Sequence, residues 1–307
     1  MPNSLPVIVG FGGYSAAGRS SSHQAFRRMI LETLPAEEQV NTVVSLACLM
    51  AQVTKEGETY RDQQGAALSA AEVDQQFRQQ VLDGTLIRKI ELFDPANISG
   101  HKKISFTDSP DQAVQFNMLK RDLPKVPPKS WQVRDLEDGN VAVTATGSSQ
   151  YLIESPYELI AKAAGQLPSG FNPSDHYNSR FHPRSLQMAL LGASDAVHSI
   201  GIPWDKIAAS VAPDEVGVYS SSALSQMTEE GFGGLLQARL RGGRTTAKQV
   251  PLGLNSMPAD FVNAYVLGSV GHTEAITGAC ASFLYVLQAA VRDIRSGRRR
   301  VAILGNA

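Results

Sequence analysis

The stretch TEAITGACASFLYVLQAAVRDIRSGRRRVAILGNA, residues 273–307, decides the fold. Residues 274–278 predict a strand, and helical spacing begins directly after Cys280. One apolar helix face is predicted, formed by Phe283, Leu284, Leu287, Ala290, Val291 and Ile294. Gly297 ends the helix, and residues 299–305 predict a further strand. A strand, a cysteine, a long helix and another strand therefore follow one another.

Cys280 is expected at the positive, amino-terminal end of that long helix. A thiolate at this position is stabilised by unsatisfied backbone N–H groups and by the helix dipole, which lowers the pKa of the thiol. The same N–H groups are placed to hold an oxyanion when a thioester carbonyl is attacked. Its neighbours Gly278, Ala279, Ala281 and Ser282 are small and leave room for a substrate. Free cysteine is also a common packing residue, so the spacing alone leaves both readings open.

Upstream of this stretch, helices and strands alternate. Residues 184–200 predict an amphipathic helix, residues 215–222 a strand, and residues 258–267 a second helix. Strands joined by helices favour a parallel sheet covered by helices. The predicted fold class is therefore α/β.

The first 174 residues divide into two predicted regions. Residues 5–13, LPVIVGFGG, predict a short buried strand that runs into a glycine turn. Amphipathic helices are predicted afterwards, at residues 23–32, 37–55 and 69–83. We expect residues 1–22 to form a first core strand and turn, residues 23–174 a largely helical insertion, and residues 175–307 the core that holds Cys280.

Composition excludes several classes of protein. The 307 residues are 43% hydrophobic and 19% charged with a formal net charge of −1, so no global basic field attracts nucleic acid or a membrane surface. Cys48 and Cys280 match no paired-cysteine metal spacing and give no disulfide framework. Cys48 lies in an apolar helical run and is assigned to the core. With neither a secretory signal nor an apolar run of the ~20 residues that cross a bilayer, a cytoplasmic protein is expected.

Several segments resemble the β-ketoacyl synthases, which have the thiolase fold. GACAS at Cys280 resembles their active-site signature, and HYNSRFHPRSLQMALLGASDAVHSIG, residues 176–201, resembles their first core helix and its lead-in. VGVYSSSA resembles the second core strand, LNSMPADFVNAYVLG the helix before the nucleophile, and VIVGFGGYSAAGRS the opening strand and turn. The resemblance covers about residues 5–22 and 175–307 in family order. With its long insertion, the chain looks most like the long variant that initiates fatty-acid synthesis in some proteobacteria.

The resemblance implies an acyltransferase of fatty-acid synthesis, a 3-oxoacyl-carrier-protein synthase. Cys280 would accept an acyl group from acyl-CoA, such as acetyl-CoA, or from an acyl carrier protein, and condense it with a decarboxylating malonyl-carrier thioester. This chemistry needs no metal or organic cofactor. The expected partners are the acyl carrier protein and a second copy of the chain in a homodimer, with no nucleic acid and no membrane.

A basic loop, GLLQARLRGGRTTAKQ, precedes the helix at residues 258–267. It contains Arg239, Arg241, Arg244 and Lys248. Basic residues in this region of related synthases meet the acidic carrier protein, which implies the same role here. A solvated surface explains the four cations equally well.

The chain departs from the family pattern in one respect. Ketosynthases pair the nucleophilic cysteine with two histidines, a lysine and a phenylalanine that lie further downstream than residue 307. The chain is therefore expected to be an N-terminal half, either truncated or one chain of a split synthase, and inactive alone. A polyketide ketosynthase or a thiolase stays open as an alternative, as does a non-catalytic dimerisation or carrier-binding half.

Overall fold

The computed structural model describes residues 5–106, 113–179, 181–224 and 226–307. Its α-helices are α1 (Gln24–Met29), α2 (Ala36–Leu49), α3 (Ala70–Asp83), α4 (Arg184–Ser199), α5 (Trp204–Ala208), α6 (Phe232–Gln237), α7 (Gln249–Gly253), α8 (Met257–Val262) and α9 (Ser282–Arg295). A π-helical turn, Asn263–Leu267, continues α8. Its strands are β1 (Tyr14–Ser15), β2 (Gly18–Arg19), β3 (Val53–Glu56), β4 (Thr59–Asp62), β5 (Ala67–Leu68), β6 (Ile87–Lys89), β7 (His101–Phe106), β8 (Val114–Leu119), β9 (Trp131–Asp135), β10 (Asn140–Ala145), β11 (Ser149–Glu154), β12 (Ala163–Gly165), β13 (Val216–Ser221), β14 (His272–Glu274) and β15 (Val301–Asn306).

The core is a parallel sheet covered by helices, as the sequence predicts. The strand order is β14-β13-β15, and β13 runs parallel to both of its neighbours. Alternate residues of β13 face opposite sides: Val216 and Val218 pack with residues of α4 and α8, whereas Tyr219 packs with α9. A strand buried on both faces explains why β13 is apolar without interruption at its start. Helix α4 matches its predicted span to within one residue and ends before Gly201, which has a φ of +74°.

The predicted strand before Cys280 lies earlier than expected. The pairing with β13 covers His272–Glu274 rather than residues 274–278. Residues 275–277 form no regular element, and a turn follows at 278–281. The β-propensity of the threonine and isoleucine at 276–277 indicated a longer strand, but the chain turns toward α9 before these residues can pair.

The prediction of a buried strand at residues 5–13 is wrong. These residues form no strand in the structure, and Ile8 is 88% exposed. A continuous apolar run indicates a strand only where neighbouring strands cover it, and within the described residues none pairs with this segment. Its glycines contact α4 instead: a Cβ on Gly12 would lie 2.3 Å from the Ala196 nitrogen, so only glycine fits.

Asp195 of α4 holds this early segment against the core. Its buried carboxylate accepts hydrogen bonds from the Gly13 N–H at 3.0 Å and the Ser21 hydroxyl at 2.7 Å, and it pairs with Arg19. A carboxylate with several donors satisfies its buried oxygens. Residues 13–21 are therefore fixed to α4 by polar contacts rather than by sheet pairing.

The predicted insertion is only partly helical. Residues 23–83 do contain α1, α2 and α3, with Val43, Ala47, Val73 and Val81 in a shared core. Residues 87–165, by contrast, form strands, and β10 pairs antiparallel with β8 and β9. Val141, Val143 and Ala145 of β10 are buried and alternate with less buried residues, which is the two-residue period of a half-buried strand. This alternation was the signal for strands in the sequence.

The chain forms two compact units whose boundaries differ from the sequence-based ones. One unit runs up to Arg88 and resumes at Gly165, and the other spans Lys89–Ala164. Residues 23–88 therefore belong with the sheet that leads to Cys280, and not with the insertion. None of the helices in the described ranges has both the length and the apolar composition needed to cross a membrane.

Candidate active site

Cys280 lies in a tight turn between β14 and α9, two residues before the helix begins. Its thiol is free and its side chain is exposed. The Ala281 N–H donates to the Gly278 carbonyl at 3.0 Å, and the Ser282 N–H donates to the Ala279 carbonyl at 3.1 Å. These two backbone bonds close the turn around the cysteine. The position at the start of the long helix agrees with the sequence prediction.

Ala279 has a left-handed backbone conformation, with a φ of +49°. This conformation costs an L-residue roughly 1–2 kcal/mol and is found at functional turns. The Gly278 position is crowded as well, because a Cβ there would lie 2.2 Å from Cε2 of Tyr285. Both residues before Cys280 are thus constrained, Ala279 by its strained backbone conformation and Gly278 by close packing.

The first turn of α9 offers a free backbone donor three residues after Cys280. In the part of the chain that the structure describes, the Phe283 N–H has no hydrogen-bond acceptor, because no bond to the Ala279 carbonyl forms. Unsatisfied N–H groups at a helix start attract negative charge. The Phe283 N–H is therefore available to a negatively charged group that approaches the start of α9.

The predicted buried face of α9 is wrong. The residues that pack on the sheet are Ser282, Val286, Ala289, Ala290 and Asp293. Of the predicted face only Ala290 is buried, whereas Phe283 is 44% and Leu284 64% exposed. Helix α9 has apolar residues on two sides, and the side that packs against Tyr219 of β13 and Leu304 of β15 is the one with Val286, Ala289 and Ala290. An exposed apolar face consequently lies next to Cys280.

A buried polar contact joins α9 to the sheet. The Tyr219 hydroxyl of β13 donates to Asp293 Oδ2 at 2.7 Å, and Arg298 pairs with the other carboxylate oxygen. Burial raises the pKa of Asp293, but the hydrogen bond from Tyr219 and the charges of Arg292 and Arg298 outweigh it and hold that pKa below its ordinary value. The sequence analysis missed this contact, although a single carboxylate on an otherwise apolar helix face was a signal for it.

The same carboxylate belongs to a group with metal-ligating side chains. One ligand atom each of His272, Glu274 and Asp293 lies within 4.8 Å of the others. The His272 Nε2 atom faces Glu274 at 3.3 Å. Both oxygens of Asp293 already bind Tyr219 and Arg298, however, so the carboxylate is occupied as a structural partner. A metal would have to displace these donors.

Cys48 differs from Cys280 in its surroundings. It lies on α2, partly buried against the core shared with α3. Burial raises the pKa of the Cys48 thiol, which lowers its thiolate fraction. These surroundings are those of a packing residue.

The basic loop lies between α6 and α7, and its four cations are exposed. Arg241 pairs with Glu229 at 2.5 Å, and the Lys248 ammonium lies 4.3 Å from the centre of the Phe181 ring. Arg239 and Arg244 have no ion-pair partner within the described ranges. The structure records no hydrogen bond or ion pair between this loop and the Cys280 turn. Both predicted sites lie in the same compact unit.

A cavity of about 660 Å³ lies beside α4. Aromatic side chains line it, among them Tyr177, Trp204 and Tyr265. Cys280 is not one of its lining residues. The cavity is thus not a pocket for a group bound to the thiol.

A parallel sheet with a free cysteine ahead of its long helix fits the thiolase-like fold that the resemblance in the sequence implies. Residues 121–307 match the family model described as beta-ketoacyl synthase, N-terminal domain. The chain belongs to the β-ketoacyl synthase family.

Two comparisons extend over nearly the whole chain. It is 47% identical over 305 residues to the beta-ketoacyl-[acyl-carrier-protein] synthase FabY of Pseudomonas aeruginosa, covering 99% of this chain and 48% of that protein. A crystal structure of the ketosynthase FabY from P. aeruginosa matches with a TM-score of 0.90 at 47% identity, covering 99% of this chain and 48% of that one. The chain thus spans about half the length of the relatives it matches.

Proposed function

We propose that the protein acts as a β-ketoacyl-carrier-protein synthase of fatty-acid synthesis, with Cys280 as its acyl-accepting nucleophile. One observation carries this proposal: the exposed, free thiol in a constrained turn at the start of α9. The similarity to FabY, whose name describes a β-ketoacyl-carrier-protein synthase, supports the choice of reaction.

The reaction has two halves that share the cysteine. In the first, the Cys280 thiolate attacks the carbonyl carbon of an acyl thioester, the bond from that carbon to the donor sulfur breaks, and the donor leaves as a thiolate. The free Phe283 N–H is placed to bind the oxyanion of the tetrahedral intermediate. In the second, a malonyl-carrier thioester loses carbon dioxide, and its carbanion attacks the acyl group on Cys280. A C–C bond forms, the C–S bond to Cys280 breaks, and the thiolate returns.

Decarboxylation needs groups that the Cys280 turn does not contain. Of the histidines, His272 is nearest in sequence, and its ring faces Glu274 rather than the turn. We propose that the decarboxylating groups lie downstream of the Cys280 turn, as the resemblance to the β-ketoacyl synthases implies. The exposed apolar side chains Phe283 and Leu284 give such residues a surface to pack against. By the same reasoning, the 307 residues alone should not catalyse condensation.

The basic loop is our proposed docking site for the acidic acyl carrier protein. Arg239 and Arg244 are exposed without a described acidic partner, so both are available to carboxylates of another molecule. Leu240 is exposed between them and adds an apolar contact. Exposed charges of this kind mainly steer association and set its dependence on salt.

We further propose a homodimer and a cytoplasmic location. Strand β14 lies at an edge of the core sheet, where its outer side can pair with the same strand of a second copy. Sedimentation of the full-length enzyme tests this assembly. The location is inferred from the chemistry, since a thiol nucleophile must stay reduced.

Acyl transfer to the full-length enzyme tests the function. Incubation with acetyl-CoA or an acyl-carrier thioester, followed by digestion and mass spectrometry, should show one acyl group on the Cys280 peptide and none on Cys48. The Cys280→Ser variant should take up no acyl group and form no 3-oxoacyl product. Undiminished condensation by Cys280→Ser would show that another residue is the nucleophile.

A further inference from the structure

Ser282 fastens the turn that contains Cys280. Its side chain is fully buried, with 0% of the residue exposed, at the first position of α9. The hydroxyl accepts a hydrogen bond from the Gly278 N–H at 3.0 Å and donates one to the Ala279 carbonyl oxygen at 2.7 Å. Both hydrogen-bonding roles of the hydroxyl are therefore used, and both partners lie before the cysteine.

These bonds fix the peptide groups on either side of Gly278 and Ala279. The Ala279 carbonyl belongs to the peptide bond that ends at the Cys280 nitrogen. Its orientation therefore sets the direction in which the chain enters Cys280. Since Ala279 has a φ of +49°, the turn has a tendency to relax toward negative φ, and the Ser282 hydroxyl opposes this relaxation. Tyr285 limits movement on the other side, because it packs directly against Gly278.

Ser282 differs from an ordinary helix cap. A capping serine lies just before the helix and accepts from N–H groups of the first helical turn. Here the cap position is Ala281, which makes no side-chain bond, and Ser282 is already helical. Its hydroxyl points backward into the turn and leaves the Phe283 N–H free. The helix itself gains little from this hydroxyl, whereas the geometry of the turn depends on it.

We propose that Ser282 is a positioning residue for Cys280, which holds the strained Ala279 peptide so that the thiol stays presented beside the free N–H of α9. The part of this proposal that concerns catalysis rests on the proposed function. The part that concerns the orientation of the thiol and the turn does not.

The test measures thiol alkylation in the full-length enzyme. Ser282→Ala should slow iodoacetamide alkylation of Cys280 by about tenfold, the factor that corresponds to the loss of about one well-placed hydrogen bond. Ser282→Thr keeps the hydroxyl and should recover most of the rate. Ser296→Ala serves as the matched control, because the Ser296 hydroxyl also donates to a carbonyl of α9, that of Asp293, but at the opposite end. It should leave the rate unchanged.

Cys48 provides an internal reference in the same digest. A variant that merely loosens the fold would raise alkylation of Cys48, whereas lost positioning should slow Cys280 alone. Should Ser282→Ala fold poorly, Cys280 alkylation is measured in the Ala279→Gly/Ser282→Ala double variant instead. Glycine adopts the left-handed conformation without cost, so this variant should alkylate at nearly the rate of Ala279→Gly alone.

Unchanged Cys280 alkylation in Ser282→Ala would overturn the proposal. A slowed rate that Ser282→Thr fails to recover would also overturn it, since the hydroxyl would then not be the cause. Neither result depends on condensation. The proposed function fails separately, if Cys280→Ser still accepts acyl groups while Ser282→Ala shows the expected loss of thiol reactivity.

Discussion

Replacing Tyr219 by phenylalanine should weaken the attachment of α9 to the sheet. The change keeps a ring that is fully buried between β13 and α9 and removes only the hydroxyl that donates to Asp293 at 2.7 Å. A hydrogen bond to a charged group contributes about 1.5–3 kcal/mol. Because Arg298 still pairs with the other carboxylate oxygen, we expect a loss of about 2 kcal/mol in the free energy of unfolding.

The pH dependence of this loss identifies the carboxylate as the partner. The folded-state pKa of Asp293 lies below its ordinary value of 3.8. Its contribution to stability is therefore complete above that ordinary value and is lost as the pH falls through the lowered, folded-state pKa. Tyr219→Phe moves the folded-state pKa back toward 3.8. The difference between the two proteins should be constant near neutral pH and shrink below about pH 4.

Urea unfolding of the full-length enzyme, at neutral pH and in a series toward acid, measures the effect. Tyr285→Phe is the matched control, because it removes a hydroxyl from the exposed side of α9 and should change stability by less than about 0.5 kcal/mol. If Tyr219→Phe loses no more than this control, or if its loss is the same in acid, the reasoning is refuted.

Three further results are expected. Iodoacetamide should modify Cys280 faster than Cys48, because burial raises the pKa of the Cys48 thiol. Peptide mapping measures the two rates, and preferential labelling of Cys48 would contradict the assignment of Cys280 as the nucleophile. Asp195→Ala should cost about 3 kcal/mol or more in urea unfolding, since it leaves buried donors unpaired, and a near-neutral result would show that the early segment is not fixed to α4. In the full-length enzyme, Arg244→Glu with Lys248→Glu should slow acylation from a carrier donor and reduce its salt dependence, with little change for a CoA donor. Equal losses with both donors would point to a folding or pocket defect.

The bounds of an element could be predicted from the sequence where its buried residues recur at a regular spacing. Helix α4 has one apolar stripe between a proline and a glycine, and its span was predicted to within one residue. The sequence of residues 5–13 does not contain such a signal. An apolar run can form a covered strand or an exposed segment, and which of the two forms depends on whether other parts of the protein pack against it. The strands at 87–165 were missed for a different reason, since they alternate over short lengths between many turn residues.

Some features of the candidate site could be predicted from the motif around Cys280, and others could not. The period of the residues after Cys280 was enough to predict its place at a helix start, but it left open whether the thiol is buried or, as in the structure, exposed. The period does not decide which of two apolar faces meets the sheet, and α9 buries Val286 and Ala290 rather than Leu284. Nor does it reveal the groups that hold the turn in place. Ser282 reads as a small neighbour in the sequence, and only the positions of the Gly278 and Ala279 peptides give its hydroxyl two partners. The residue type of the nucleophile can thus be predicted from the sequence. The orientation of its side chain depends on hydrogen bonds that the spacing of apolar residues does not predict.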